Sequence, residues 1–262
     1  MKKLTHKKAL ITGGSSGLGQ EIAIALATEG AKVVFGYYHN EEGAQKTLEE
    51  IEKTGGIGFS IKANLEDPTQ NLFLIQETYK ILKGIDILIN NAGIIIPHLN
   101  FTDISLESLQ KTQSINLISP FILIQETAKI MKKKNKGGSI INISSMSTQF
   151  ITPGSTHYEC SKAAIDALTK GAAYDLAPYG IRVNGIAPAS IATSINERQR
   201  LKDPKGWIKR KNTFPLKEGF PEDIANACIF LSSQASKWIT GLTLPIDGGA
   251  RLINPFNLIS SL

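Results

Sequence analysis

The stretch Ala9-Leu10-Ile11-Thr12-Gly13-Gly14-Ser15-Ser16-Gly17-Leu18-Gly19 joins a short apolar run to a turn rich in glycine. Apolar residues then recur at helical spacing until Gly30, which predicts a strand, a turn and a helix in direct succession. Glycine lets the backbone turn tightly and approach a phosphate, and the N-terminus of a helix favours its negative charge. The spacing is Gly-x-x-x-Gly-x-Gly rather than the better-known Gly-x-Gly-x-x-Gly. In this context the turn predicts a nucleotide-binding site.

Outward from this turn, short apolar runs alternate with helical patterns along the chain. Most runs are apolar on both faces, which is typical of a parallel sheet covered by helices on each side. We therefore predict an α/β fold: a single Rossmann-type, doubly wound domain over residues 1–262, with a seven-stranded parallel sheet flanked by helices on both faces. The predicted strands cover residues 9–11, 32–37, 58–63, 85–89, 139–144, 181–186 and 241–246.

Two segments interrupt this regular alternation. A long helical pattern over residues 106–134 contains Pro120, which predicts a kink or a restart there. Residues 189–220 are polar, weakly periodic and long for a loop. We expect them to form a mobile substrate lid.

The composition is that of an ordinary globular protein with a basic balance. The chain has 262 residues and a formal net charge of +6, with basic residues in three clusters. No known nucleic-acid-binding motif accompanies them, so we interpret the clusters as solvated faces that slightly favour phosphorylated ligands, and we expect no nucleic-acid partner. The two cysteines are typical of packed thiols, which predicts neither a disulfide nor a metal site and suggests a reducing compartment. No apolar run reaches the ~18 residues of a membrane span, and we expect a cytoplasmic protein without a membrane partner.

The pair Tyr158 and Lys162 stands four residues apart in a helical pattern, so both side chains lie on one helix face. A nearby ammonium favours a phenolate and lowers the pKa of a tyrosine. Such a pair can take a proton from an alcohol or give one to an alkoxide. Alone, the pattern is frequent by chance and is far more often a surface tyrosine beside a solvated lysine.

Three stretches in fixed order resemble the short-chain dehydrogenase/reductase family. They are Thr12-Gly13-x-x-x-Gly17-x-Gly19, Asn90-Asn91-Ala92-Gly93 and Tyr158-x-x-x-Lys162. The resemblance covers essentially the whole chain and implies an oxidoreductase that transfers a hydride between NAD(P) and a carbonyl/hydroxyl substrate. The alternative is a cofactor-binding regulatory protein without turnover, but such proteins usually lack part of the catalytic set.

The resemblance implies four catalytic residues: Asn116, Ser145, Tyr158 and Lys162. Tyr158 would be the general acid/base, with its pKa lowered by Lys162 and by the oxidised nicotinamide. Ser145, thirteen residues earlier, would hydrogen-bond the reacting oxygen. Lys162 would also hold the nicotinamide ribose, and Asn116 would hold a relay water. The alternative for Asn116 is a helix-bending polar residue satisfied by backbone.

The cofactor site implied by the resemblance runs along the ends of several strands. Tyr37 stands where NAD-preferring relatives usually carry Asp, which favours NADP, with NAD or dual use open. No arginine follows it to hold a 2′-phosphate, and Asn64 stands where relatives often carry Asp. The implied residues are Gly13, Ser15, Ser16, Gly17, Leu18, Gly19, Tyr37, Tyr38, His39, Asn64, Leu65, Asn91, Ala92, Gly93, Tyr158, Lys162, Pro188, Ile191 and Thr193.

Within the family the pattern is most similar to bacterial glucose 1-dehydrogenases. The implied substrate residues are Ser145, Ser147, Ile96, Tyr158 and Asn196. Residues 94–96 are all isoleucine where those enzymes carry a glutamate nearby, and sugar hydroxyls need polar partners. A 3-oxoacyl-[acyl-carrier-protein] reductase or another ketone reductase is therefore the alternative.

Relatives are commonly homotetramers, which the resemblance implies here too. The apolar faces around Phe121/Ile124 and around Ala164/Leu168/Ala172 suit such an interface, and core packing is the competing explanation.

Overall fold

A computed structural model describes residues 2–193 and 196–253 of the chain. Within them, seven strands form one parallel sheet in the order β3-β2-β1-β4-β5-β6-β7. The predicted fold class and the seven-stranded parallel sheet are confirmed. The strands are β1 (Lys8–Thr12), β2 (Lys32–Tyr37), β3 (Ile57–Lys62), β4 (Ile87–Asn90), β5 (Gly138–Ile143), β6 (Ile181–Pro188) and β7 (Thr243–Ile246).

Helices cover both faces of the sheet, as predicted. Successive strand residues point to opposite faces, so Val34 and Phe35 of β2 enter two different core clusters. The cluster around Phe35 is closed by α1, α2 and α9, and the cluster around Val34 by α3, α5 and α6. The helices are α1 (Gly17–Thr28), α2 (Glu41–Lys53), α3 (Pro68–Leu82), α4 (Leu106–Gln113), α5 (Ser119–Lys134), α6 (Thr156–Leu176), α7 (Glu197–Lys202), α8 (Pro204–Thr213) and α9 (Pro221–Ser232).

The strand order reverses between β1 and β4. From β1 the chain builds outward to β3, and then α3 returns it to the other side of β1, where β4 pairs in register from Ala9↔Ile87 to Ile11↔Ile89. Adjacent connections leave the sheet in opposite directions there, which opens a crevice at the carboxyl ends of the two strands. The glycine turn after β1 and the Asn-Asn-Ala-Gly stretch after β4 therefore meet at one place.

The long pattern around Pro120 is helical throughout, but a π-helical turn divides it. α4 ends at Gln113, a π-helical turn spans Ser114–Ile118, and α5 restarts at Ser119 with Pro120 in its first turn. Proline is tolerated there because the first-turn N–H groups have no partner within the helix. The predicted restart is correct, and the π turn places Asn116 inside it.

The segment at residues 189–220 contains the helices α7 and α8, although its sequence shows little periodicity. Residues 194 and 195 of this segment, and residues 254–262 of the predicted domain, lie outside the described part. Its role as a mobile lid remains a prediction.

The apolar side chains of the predicted interface faces differ in their exposure to solvent. Ile124 is 4% exposed and packs in the core, so core packing, the competing explanation, holds for it, whereas Phe121 is 52% exposed. Leu168 and Ala172 are partly buried against the same core. Among the described helices, none has the length and apolar character needed to cross a bilayer.

Candidate active site

The crevice is held together by contacts between the β1 turn and the residues after β4. The Thr12 hydroxyl accepts from the backbone N–H groups of Asn91 (3.0 Å) and Ala92 (2.9 Å). The Asn91 amide nitrogen donates back to the carbonyls of Thr12 (2.9 Å) and Gly13 (3.3 Å). Asn91 thus positions the glycine turn, and its donor atoms are already engaged in that role.

The glycines of the turn occur where a side chain does not fit. Gly13 has φ +70°, in the left-handed region that glycine favours. A Cβ on Gly19 would lie 2.1 Å from the Gly13 carbonyl oxygen and 2.4 Å from the Asn91 amide nitrogen. α1 begins at Gly17 and carries no acidic residue in its first turn, so the helix N-terminus faces the crevice without a repelling charge. This cradle fits the diphosphate of a nicotinamide dinucleotide.

The first turns of α2 fix the glycine turn from its other side. The Thr47 hydroxyl donates to the Gly14 carbonyl at 3.0 Å. The Asn40 amide donates to the Ser15 carbonyl at 3.0 Å and accepts from the Gly43 N–H at 2.9 Å. Asn40 is therefore a structural clamp and the N-cap of α2. Sequence reasoning missed Thr47, because its partner lies 33 residues away.

The residues expected around adenosine line the ends of β2 and β3. Tyr38 and His39 follow β2 with ring centroids 3.7 Å apart, and Tyr37 packs partly against the core. Asn64 accepts from the Glu66 N–H at 3.1 Å in a local turn, and Leu65 packs partly against the core. These positions suit adenosine, whose binding remains a prediction.

The catalytic pair lies on α6 beside the end of β5. Lys162 is 5% exposed, and its ammonium donates to the Ile143 carbonyl at 2.8 Å. Burial lowers the pKa of Lys162 to about 8, and the nearby Asp166 raises it in part. Ser145 follows β5 and accepts from the Ser147 N–H at 3.1 Å, which fixes its hydroxyl.

The expected lowering of the Tyr158 pKa by Lys162 is wrong for the protein alone. Burial raises the pKa of Tyr158, and the hydrogen bond with Ser145 lowers it only in part. The Lys162 ammonium lies 5.7 Å from the Tyr158 ring centroid and is directed at Ile143. The partly buried Tyr158 therefore favours its neutral phenol form and is hydrogen-bonded to Ser145.

Asn116 anchors the chain after the Asn-Asn-Ala-Gly stretch. Its side chain accepts from the Ile94 N–H at 2.9 Å and donates to the Ile94 carbonyl at 2.9 Å and to the Ser161 hydroxyl at 3.0 Å. A Cβ on Gly93 would lie 3.4 Å from the Asn116 carbonyl oxygen and 3.5 Å from the Lys162 ammonium. The side chain is thus satisfied by backbone, the alternative considered above, and a relay water remains a prediction.

The residues after β6 divide into core and loop. Pro188 ends β6, and Ile191 is 6% exposed in the core. The Asn196 amide donates to the Ile191 carbonyl at 2.7 Å and accepts from the Thr193 N–H at 3.2 Å. Arg200 also donates to Asn196, at 3.0 Å. Asn196 therefore holds its own loop, and its contact with a substrate remains a prediction.

Beyond Asn116 the apolar residues 94–96 are partly buried, and the chain then reaches His98. The His98 ring lies 5.4 Å from the ring of His157, edge to face, and His157 directly precedes Tyr158. His157 is 2% exposed. Burial and the neighbouring His98 lower the pKa of His157, against smaller effects of the Ile96 backbone and Glu159. The contact between His98 and His157 joins the loop of residues 94–96, called the isoleucine loop below, to helix α6, and the two histidines lie 59 residues apart in sequence.

Comparison with known proteins gives matches over nearly the whole chain. A family model described as Enoyl-(Acyl carrier protein) reductase matches residues 13–251. L-rhamnose 1-dehydrogenase (NAD(P)(+)) of Azotobacter vinelandii is 35% identical over 250 residues, covering 94% of this chain and 97% of that protein. Glucose 1-dehydrogenase 2 of Bacillus subtilis is 34% identical over 256 residues, covering 96% and 97%. A short-chain type dehydrogenase/reductase from Mycobacterium marinum has a crystal structure with TM-score 0.88 and 36% identity, covering 95% of this chain and 96% of that one.

Replacing Lys162 by methionine is expected to stabilise the fold. A pKa lowered from 10.5 to about 8 means that the folded protein holds this ammonium at a cost of roughly 3 kcal/mol near neutral pH. Methionine fills a similar volume without charge, and the lost bond to Ile143 offsets about 1 kcal/mol. We expect Lys162→Met to raise the free energy of unfolding by about 1–2 kcal/mol in urea titrations at pH 7. Lys170→Met, at an exposed position on the same helix, is the control, and an equal or lower stability of Lys162→Met would contradict the predicted cost.

Acidification is expected to destabilise the protein through His157. Its pKa is lowered on folding, so below the ordinary value of 6.5 the unfolded chain binds more protons and stability falls as the pH drops. The melting temperature of His157→Gln should therefore depend less on pH between pH 7.5 and about pH 5 than that of the unmodified protein. His6→Asn replaces an exposed histidine with φ 64° by a residue that accepts this conformation, and it should leave the pH dependence unchanged. Parallel curves for His157→Gln and the unmodified protein would refute the assignment.

Proposed function

Because the chain belongs to the short-chain dehydrogenase/reductase family, we propose that it oxidises the C1 hydroxyl of an aldose with NADP or NAD. As a member of this family it is an oxidoreductase that acts on CH–OH groups. Both named sugar relatives act at position 1 of an aldose, and one of them uses either cofactor. The observation that carries the proposal is the convergence of Tyr158, Ser145 and Lys162 beside the glycine cradle.

The chain's own residues divide the chemistry between them. When bound, the nicotinamide would accept the hydride from the substrate carbon. Tyr158 takes the proton of the substrate hydroxyl, and the fixed Ser145 hydroxyl donates a hydrogen bond to the oxygen as charge develops on it. With the cofactor bound, Lys162 would hold the ribose hydroxyls, and the turn at Gly13, Gly17 and Gly19 would hold the diphosphate.

The isoleucine loop narrows the class of aldose. Residues 94–96 are partly buried and are held by the bonds between Asn116 and Ile94. A hydroxymethyl group placed against these side chains would lose its hydrogen bonds, whereas a methyl group would not. We propose that the substrate is a 6-deoxyaldose such as L-rhamnose, whose methyl group packs on the loop. The same apolar loop favours, as the second candidate, the reduction of an apolar ketone.

The assembly is proposed to be a homotetramer in the cytoplasm. Ile118 and Phe121, at the junction of α4 and α5, are 45% and 52% exposed and form an apolar face suited to a two-fold interface. Cys228 is a buried free thiol, as predicted, whereas Cys160 is exposed, so its prediction as a packed thiol is wrong. Light scattering should give four times the chain mass of 28.4 kDa, and Phe121→Glu should lower it. A monomeric unmodified protein would contradict the tetramer.

The substrate proposal is tested by a pair of sugars that differ in one group. L-rhamnose and L-mannose have the same ring hydroxyls and differ only in a methyl against a hydroxymethyl group. We expect kcat/KM for L-rhamnose to exceed that for L-mannose by about tenfold or more, as is usual for a hydroxyl placed in an apolar pocket. The measurement is the absorbance of the reduced cofactor, with NADP and with NAD.

The substitution Tyr158→Phe tests the proposed role of Tyr158 in proton transfer. It should lower kcat by about 10²–10⁴-fold and leave cofactor binding intact, because only the proton-transfer group is removed. Tyr174→Phe, 85% exposed on the same helix, should retain full activity. Equal use of the two sugars would exclude the deoxyaldose, turnover of apolar ketones alone would favour the second candidate, and full activity of Tyr158→Phe would refute the mechanism.

A further inference from the structure

The last residue of β3, Lys62, lies beside the end of β2. In the parallel register Lys62 is the partner of Tyr37, the last residue of β2. Register partners point to the same face of a sheet, so both side chains lie on the face covered by α2. The Lys62 ammonium indeed lies 3.9 Å from the Glu41 carboxylate, in the first turn of α2.

The end of β2 is where a dinucleotide fold meets the adenosine ribose. An acidic residue there binds the ribose 2′-hydroxyl and repels a 2′-phosphate, whereas a cation accepts the phosphate. Here that position is Tyr37, which is uncharged at neutral pH, so the preference depends on charges from neighbouring elements. Lys62, the register partner of Tyr37, and Glu41, in the first turn of α2, form an ion pair there.

We propose that Lys62 is the counter-charge for the 2′-phosphate of NADP and that Glu41 opposes it, so that this ion pair sets the ratio of NADP to NAD use. The inference rests on the proposed cofactor binding and assigns its specificity. The sequence alone predicted neither residue. It showed only that no arginine follows Tyr37 to hold the 2′-phosphate.

The pair is built so that Lys62 can change partners. Its side chain and that of Glu41 are 59% and 78% exposed, and an exposed pair at 3.9 Å is only weakly bound. A phosphate monoester carries more negative charge than a carboxylate and three acceptor oxygens, so it competes well for a lysine on a flexible four-carbon stem. With NAD, which lacks this phosphate, Lys62 keeps its ion pair with Glu41.

The other polar side chains at the ribose end are less suited to the task. The Asn40 amide is bonded to Ser15 and Gly43 and holds the glycine turn. The rings of Tyr38 and His39 contact each other at a tilt of 46°, with ring centroids 3.7 Å apart. Glu42 follows Glu41 in the first turn of α2, where acids are favoured by the helix dipole but repel a phosphate.

The test measures binding rather than turnover. Adenosine 2′,5′-bisphosphate and 5′-AMP are titrated calorimetrically into the unmodified protein, Lys62→Met and Glu41→Gln. Lys62→Met should weaken the bisphosphate about tenfold, about 1.4 kcal/mol, and change 5′-AMP less than about twofold. Glu41→Gln should tighten the bisphosphate about two- to fivefold, because a repelling charge is removed. The NADP-to-NAD ratio of affinities should move in the same directions.

The ion pair Lys53–Glu50 supplies matched controls. It joins a lysine and a glutamate that both lie on α2, is also exposed, and lies toward the far end of that helix, about 14–18 Å from Glu41 by helical rise. Lys53→Met and Glu50→Gln should leave both affinities unchanged. If both nucleotides bind and Lys62→Met alters them equally or not at all, the inference is overturned and the proposed function stands. If the unmodified protein binds neither nucleotide, the proposed cofactor use itself is overturned.

Discussion

The contact between Asn91 and the glycine turn determines where everything else in the site lies. The amide of Asn91 occupies the space that a side chain on Gly19 would fill, and it donates to the carbonyls of Thr12 and Gly13. This contact exists because β4 returns to pair with β1, which brings two loops 79 residues apart in sequence to one point. A larger residue at position 19 would separate the turn from β4, and the helix N-terminus would no longer face the crevice. The approach of two backbones, rather than any single charged group, is what creates the cofactor cradle.

From that point the site extends by hydrogen bonds to backbone. Asn116 holds both polar groups of Ile94, and Lys162 holds the carbonyl of Ile143. The π turn of Ser114–Ile118 carries Asn116 toward Ile94, and such turns are frequent at functional sites. Consequently the loop after β4, the end of β5 and the catalytic helix are connected before any ligand enters. Preorganisation of this kind is what electrostatic catalysis requires.

Features that depend on residues close together in sequence can be predicted from the sequence, whereas contacts between residues far apart in sequence cannot. The fold follows from local spacing along the strands and helices, and the family from three short motifs in fixed order; both predictions are confirmed. The contacts of Thr47 and Asn40 with the glycine turn, and the role proposed for Lys62, depend on partners in other elements and have no local signal. The same holds for ionisation. Spacing suggests that Lys162 lowers the pKa of Tyr158, but burial, which spacing does not reveal, reverses the direction.

A buried ammonium with a pKa near 8 is a stability cost that a purely structural residue would not carry. The cost is reduced by one backbone carbonyl and by the proximity of Asp166, and it is not removed. The retention of this buried ammonium is explained if its charge acts on a ligand that binds and dissociates, such as the cofactor. A phenol whose pKa is raised by burial favours the neutral form, so proton abstraction needs added positive charge near the phenol during turnover. The Lys162 ammonium is bonded to Ile143 and lies 5.7 Å from the centroid of the phenol ring, and an oxidised nicotinamide would add positive charge only when bound. Proton abstraction by Tyr158 would then be tied to the presence of the hydride acceptor, so the site would not activate a substrate that it could not oxidise.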